Sequence, residues 1–382
     1  MKYPAGSFCG ASIVIKTAHD VRPLCSLEAG VPEERRLHVL DGIRGVAAIV
    51  VVIGHLPKIW IAENFSHFYL AVDLFFMLSG FVIAFAYEEK LKSGLSARRF
   101  MLIRYIRLYP LYIVGTLIGI MSAIITYAMG KGDLSFASLT TAIVTAVLML
   151  PSPSFGDTDG LMPLNPPAWS LLFELIMNFG YALVLFRLAT TTISLIVVSS
   201  AVVLIWIDLH LHSLHTGMSW STALYGITRV IFPYCVGILL HRTTSKGQTS
   251  GVFAYAFPLV LVFALMGHGL RPEVTELVSL VFLFPFIIFG GAKIDASNSI
   301  GFHFLGKISY GLYVTSVPII TLLSRILHAS HIDENFLWPW FGYIVIAVLV
   351  SFAAFLNTHF DVPARKYIRD WLIPTKTGRE LS

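Results

Sequence analysis

Long apolar runs divide the chain into eleven segments, roughly 40–57, 68–87, 104–128, 136–150, 168–188, 192–209, 221–240, 252–268, 274–290, 307–327 and 338–359. A helix that crosses a bilayer needs about 20 apolar residues, with a range of about 17 to 25. The fourth segment, FASLTTAIVTAVLML, is the shortest and is rich in Ser and Thr. The pattern predicts an all-α fold: a polytopic helical membrane bundle of about ten transmembrane helices plus one re-entrant or short segment.

Charge position sets the expected topology. PEERR precedes the first segment, and Arg365, Lys366, Arg369, Lys376 and Arg379 follow the last. Lys and Arg concentrate in cytoplasmic loops, so both termini are expected in the cytoplasm, which requires an even number of crossings. Segment 136–150 is the one expected to dip in and return, shielded by surrounding protein. The loop 88–103, with Lys90, Lys92, Arg98 and Arg99, then falls on the cytoplasmic side. So do Arg187, Arg242, Lys246, Lys293 and Lys307, leaving Lys58, Lys131, Arg271 and Arg325 opposite. Three regions are expected: a cytoplasmic tail 1–36, a membrane domain 37–362 and a cytoplasmic tail 363–382. The loops 151–167, 210–220 and 328–337 are too short for a soluble catalytic domain, so any chemistry is expected inside the bundle.

Composition sharpens the class. The chain is 56% hydrophobic and 13% charged, whereas soluble domains are about 25% charged. Its mean hydropathy is +0.76. The net charge of +5 follows from loop topology, and without a long basic run it gives no reason to expect a nucleic-acid partner. Cys9, Cys25 and Cys235 are widely spaced and include no C-x-x-C pair, so neither a disulfide framework nor a metal site is expected. The patch FCGASIVI is too weak for a signal peptide.

Against this apolar background a few polar positions stand out, since ionisable residues inside a membrane more often mark function than packing. Arg44 and His55 are eleven positions apart. Eleven steps of about 100° put them on one face, about 16 Å apart along the axis. Arg44 has Asp41 three residues before it as a local ion partner; its plain reading is an interfacial arginine, and that of His55 is a packing histidine. Asp73, at the outer end of VDLFFMLSGF, is expected near the depth of His55, where a carboxylate would fix the imidazole tautomer. Alternatively it caps its helix. Ser79 and Gly80 fit helix packing.

Segment three opens RRFMLIRYIRLYPLY, where Arg104 and Arg107 project from one side at i, i+3. Two guanidiniums there suit bidentate phosphate binding, although such clusters also arise from topology alone. Glu174, a turn and a half into PPAWSLLFELIMNFGYAL, needs a partner such as an arginine or a substrate hydroxyl. Arg229, in TRVIFPYCVGILL, is one possibility.

Together these stretches resemble the acyltransferase-3 family of integral membrane acyltransferases, which includes surface-polysaccharide O-acetylases. The resemblance rests on LDGIRG with Arg44 and His55 in an R-x10-H arrangement, VDLFFMLSGF, R-x-x-R-x-x-P at Arg104, Arg107 and Pro110, and PPAWSLLFE ending in Glu174. RVIFPYCVGILL, GKISYGLYVTSVP and FDVPARK extend it, in order, from about 38 to 366. It implies acyl transfer, usually of acetyl, from cytoplasmic acyl-coenzyme A to a hydroxyl of a glycan or glycolipid, in a bacterial inner (plasma) membrane. By position it makes His55 and Arg44 essential and puts Arg104 and Arg107 where the coenzyme phosphates approach. Two positions depart from the family pattern: Ser316 stands where a histidine is common, and Asp361 where a glutamate is common.

The expected machinery is therefore His55 as general base oriented by Asp73, with Arg44 and Glu174 completing the catalytic set and Arg104 and Arg107 binding the donor acyl-CoA. A covalent acyl-histidine is a variant of the same scheme. The competing reading is a transporter of a small anion or sugar with Arg44, Arg229 and Glu174 along its path. No repeated pair of interrupted helices supports it. A non-catalytic membrane scaffold is the third reading.

Overall fold

The computed structural model describes residues 37–56, 64–130, 134–153, 155–244, 251–266, 271–294, 296, 299–332 and 340–372. The expected tail 1–36, the end of the other tail (373–382), Lys58, Lys131 and Lys246 lie outside the described residues.

The eleven apolar segments become eleven helices. They are α1 (His38–His55), α2 (Ala71–Lys92), α3 (Ala97–Ala128), α4 (Phe136–Val147), α5 (Ala168–Leu183) and α6 (Thr190–Leu211). Then come α7 (Ala223–Thr243), α8 (Ala256–Leu265), α9 (Pro272–Gly291), α10 (Ile300–Ala329) and α11 (Trp340–Leu372). Among the described residues there is no sheet, only isolated bridges in the loops. Among the described residues eight helices are long and apolar enough to cross a membrane; α4, α5 and α8 are shorter. At a rise of about 1.5 Å per residue, the 12 residues of α4 extend about 18 Å, well short of a core of about 30 Å.

Side chains in the connecting segments set several of the helix starts. Ser96, Ser135 and Ser299 cap α3, α4 and α10 by accepting from the backbone N–H of Arg99, Ser138 and Phe302. Inside α9 and α11 a π-helical turn interrupts the ladder, at Ser279–Leu283 and Asn357–Asp361. Such turns commonly mark functional sites. After the second of these, α11 continues through Val362–Leu372 with no side chain buried, so the last span and the first half of the expected tail form one helix.

Helix α1 packs along α10, α2 along α7, and α10 also against α3. The α2–α7 contact is close because Gly80 has no side chain: a Cβ there would lie 2.0 Å from the carbonyl oxygen of Tyr234. Lipid cannot drive helices together as water does, so such small-residue contacts carry much of the association. Large apolar side chains such as Leu195, Leu224 and Val348 remain exposed on the outer surface, as a lipid-facing surface requires. At one end of the bundle, here the cavity end, the segments 151–153 and 155–167 pack with the loop 212–222. Leu161 N–H donates to Met218 O at 2.9 Å, and Trp220 Nε1–H to Ser152 O at 2.7 Å. Gly217 turns this layer with φ +99, a conformation side chains disfavour, and passes against Gly226. The opposite, basic end carries Lys90, Lys92, Arg98 and Arg99.

Candidate active site

At the cavity end an open cavity of about 80 Å3 lies between α1, α2, α5, α7 and α10. Its walls include His55, Tyr69, Trp169, His215, Arg229 and Tyr313. His55 ends α1, and its exposed face is turned to this space. Its Nδ1 lies 2.8 Å from Val51 O, one turn back. A carbonyl only accepts, so Nδ1 carries the proton and Nε2 keeps its lone pair. The Phe68 ring meets the imidazole edge-on, with centroids 5.1 Å apart.

Asp73 does not reach His55. Its two oxygens accept from Arg229 Nε (2.8 Å) and Nη2 (2.7 Å), and the two side chains are 0% and 1% exposed. A buried carboxylate is costly without a counter-charge, and the planar fork of arginine matches it in bidentate fashion. The expected Asp73–His55 dyad is therefore corrected: the backbone carbonyl of Val51 orients His55, while Asp73 holds Arg229. Arg229 Nη2 also donates to Tyr69 O at 3.0 Å and Nη1 to Thr216 O at 2.9 Å. The indole of Trp169 lies 5.6 Å from the guanidinium carbon.

The partner of Glu174 is also corrected. It is Arg104, not Arg229: Arg104 Nη2 donates to Glu174 Oε1 at 2.8 Å, and Ser79 Oγ to the same oxygen at 2.9 Å. Ser79 lies six residues beyond Asp73 on α2, so this layer sits about 9 Å nearer the basic end. Arg104 is thus buried and neutralised. Arg107, one turn on, has no hydrogen bond or ion pair among the described residues and remains exposed. It lies within electrostatic range of Arg44, Arg104, Arg365 and Asp361. Arg44 pairs with Asp41 at 2.8 Å, and its Nε donates to Ser309 Oγ on α10 at 2.9 Å. Arg365 in turn pairs with Asp361 in the π-helical turn of α11. The sequence-derived residues thus divide into an imidazole and a guanidinium at the cavity, an acid–base layer beneath, and an arginine cluster toward the basic end. Among the described residues no group of three or more His, Cys, Asp or Glu is placed to hold a metal ion.

Several cavity residues carried no sequence signal. The ring of His215 stacks on Tyr69 at 4.6 Å and 15°. The residue keeps an exposed edge, yet desolvation by the chain around it, with Arg229 and His55 nearby, pushes its pKa down to about 4. The Tyr69 hydroxyl donates to Glu276, a fully buried carboxyl that also accepts from Leu214 N–H at 2.5 Å. Asp208, equally buried, lies beside Glu276. Only Asp208 and Glu276 had a legible clue, as acids inside apolar segments. Ser316, in place of the family histidine, is fully buried and faces the carbonyl of Tyr313 at 3.5 Å.

Fold and site together define a polytopic α-helical membrane protein with its polar groups gathered inside the bundle. The acyltransferase-3 family, described as an acyltransferase domain, matches residues 37–356, and the chain belongs to this family of membrane acyltransferases. It is 40% identical over 187 residues to protein 2 in the picA locus of Rhizobium radiobacter, covering 45% of this chain and 94% of that protein. It is 28% identical over 166 residues to acyltransferase MdmB of Streptomyces mycarofaciens, covering 40% of each. No solved structure matches the chain.

Proposed function

We propose that the protein moves an acyl group, acetyl in the simplest case, from cytoplasmic acyl-coenzyme A to a hydroxyl of a cell-surface glycan or lipid-linked sugar. The observation that carries this reading is His55 in the cavity wall with its Nδ1 bound to Val51 O, which leaves Nε2 without a hydrogen-bond partner among the described residues. A neutral imidazole so held can take the proton of an acceptor hydroxyl as it attacks the thioester, then return it to the departing thiolate.

Donor binding is assigned to the arginine cluster. Arg107, unengaged among the described residues, is the primary phosphate contact, with Arg44 beside it and Arg104 held in place by Glu174. Along α1, Arg44 and His55 are about 16 Å apart, a gap an extended pantetheine arm crosses. Aromatic walls at Phe68, Tyr69, Trp169 and Tyr313 suit the apolar face of a sugar ring or an acyl chain.

The test compares His55→Ala with the parent protein at matched level, reading acetylation of surface glycan by mass spectrometry. Loss of the acetyl mark with protein retained is expected; full acetylation would remove His55 from the mechanism. Consumption of acetyl-coenzyme A by the purified protein, absent in the variant, is the second expected result. Transport of a small solute without turnover would instead favour a transporter.

A further inference from the structure

Arg229 has more to offer the cavity than its pairing with Asp73 uses. A guanidinium carries five N–H groups. Four are engaged among the described residues, by the two oxygens of Asp73, by Tyr69 O and by Thr216 O. The fifth is the second hydrogen on Nη1. Nη1 bonds Thr216, which sits between the cavity-lining His215 and Met218, and Arg229 itself borders the cavity that His55 faces.

We propose that Arg229 is a catalytic residue of the acyl transfer, its fifth N–H donating to the thioester carbonyl oxygen across the cavity from His55 Nε2. The inference rests on the acyl-transfer reading above. As the acceptor oxygen bonds to the carbonyl carbon, its proton passes to Nε2 and the C=O π pair moves onto oxygen. That oxyanion is held by the Nη1–H. When it collapses, the C–S bond breaks, its electron pair leaves on sulfur, and the proton on Nε2 passes to the thiolate, giving ester and thiol.

Three features suit the group to this task. It is 1% exposed, and a donor shielded from water stabilises developing charge more strongly than one in water. Four bonds fix its plane before substrate arrives, so little reorganisation is needed. The charge of Asp73 keeps the buried cation tolerable, while His215, neutral at pH 7, adds no competing charge.

The experiment uses the full chain in membranes of producing cells, with radiolabelled acetyl-coenzyme A and the membranes' own glycans as acceptor. In Asp73→Leu/Arg229→Met the pair is replaced by apolar side chains, a change buried ion pairs often tolerate. Label transfer should fall about 10²–10³-fold in kcat, with KM for acetyl-coenzyme A changed less than about threefold. Asp73→Asn/Arg229→Gln restores an amide N–H and should recover about tenfold over the apolar pair. Arg229→Lys keeps the charge pair but loses the directed donor and the bidentate geometry, so it should lower the thermal midpoint and, measured per folded molecule, lose at least about tenfold in kcat. It decides the matter if the apolar pair does not fold. A kcat within about threefold of the parent in any folded variant lacking the N–H overturns the proposal. If the parent transfers no more label than His55→Ala, the acyl-transfer reading of the cavity fails first, and this inference with it.

Discussion

Arg229 and Asp73 meet through two parallel N–H···O contacts, 2.8 and 2.7 Å long, between helices α7 and α2, with neither side chain more than 1% exposed. Removing one partner leaves the other charge buried alone, at a cost of about 3–5 kcal/mol. Asp73→Ala should therefore lower the thermal midpoint in detergent strongly, and Asp73→Leu/Arg229→Met should restore much of the loss. Equal midpoints for the single and double variants would show that the pair is not what holds these helices.

His55 and Arg107 should separate kinetically. His55→Ala removes the base and should lower kcat about 10²–10⁴-fold with donor affinity near that of the parent. Arg107→Ala removes a cation and should weaken acetyl-coenzyme A binding, measured by equilibrium binding to the purified protein, while stability changes little. Arg104→Ala differs from both, because it strips Glu174 of its counter-charge. It should destabilise the fold as well as reduce activity. Unchanged donor affinity in Arg107→Ala would remove that residue from the phosphate site.

The Gly80 position predicts a packing defect. A methyl group would sit 2.0 Å from Tyr234 O, so α2 and α7 must move apart to accept it. Gly80→Ala should cost about 1–3 kcal/mol, as overpacked cores do, and should move the Asp73–Arg229 pair carried by the same two helices. A normal thermal midpoint and normal activity would contradict the close approach.

The sequence made the helices legible because a bilayer imposes length and apolarity on each one. All eleven apolar segments reappear, and the Ser- and Thr-rich 136–150 yields one of the short helices. Arg44, His55, Asp73, Arg104, Arg107, Glu174 and Arg229 were visible for the complementary reason: a charge or imidazole in an apolar run is conspicuous. Who pairs with whom was not visible. Asp73 and Arg229 are 156 positions apart, Arg104 and Glu174 are 70 apart, and the sequence alone suggested His55 for Asp73 and Arg229 for Glu174. The tautomer of His55 depends on a backbone carbonyl, which leaves no trace in side-chain identity. His215 sits in a polar loop where a histidine is ordinary; only the fold of 212–222 over the cavity gives it neighbours.

His215 supplies a pH dependence whose sign is fixed. Its pKa is pushed down from 6.5 to about 4 in the folded protein by desolvation, with Arg229 and His55 as the facing charged and titratable groups. Between those values the unfolded chain holds a proton that the folded one does not. Stability therefore falls as pH drops from about 6.5 to about 4, and this contribution levels off below the folded value. His215→Phe keeps an aromatic ring on Tyr69 and removes the titration. The parent should lose thermal midpoint faster than His215→Phe between pH 7 and pH 4.5, measured in the same detergent and salt. Because other groups titrate in both proteins, the difference between the two curves is the informative quantity. Parallel curves would mean that His215 takes up its proton as easily in the folded chain as in the unfolded one, contrary to the desolvation it meets beside the rings of Phe68 and Tyr69.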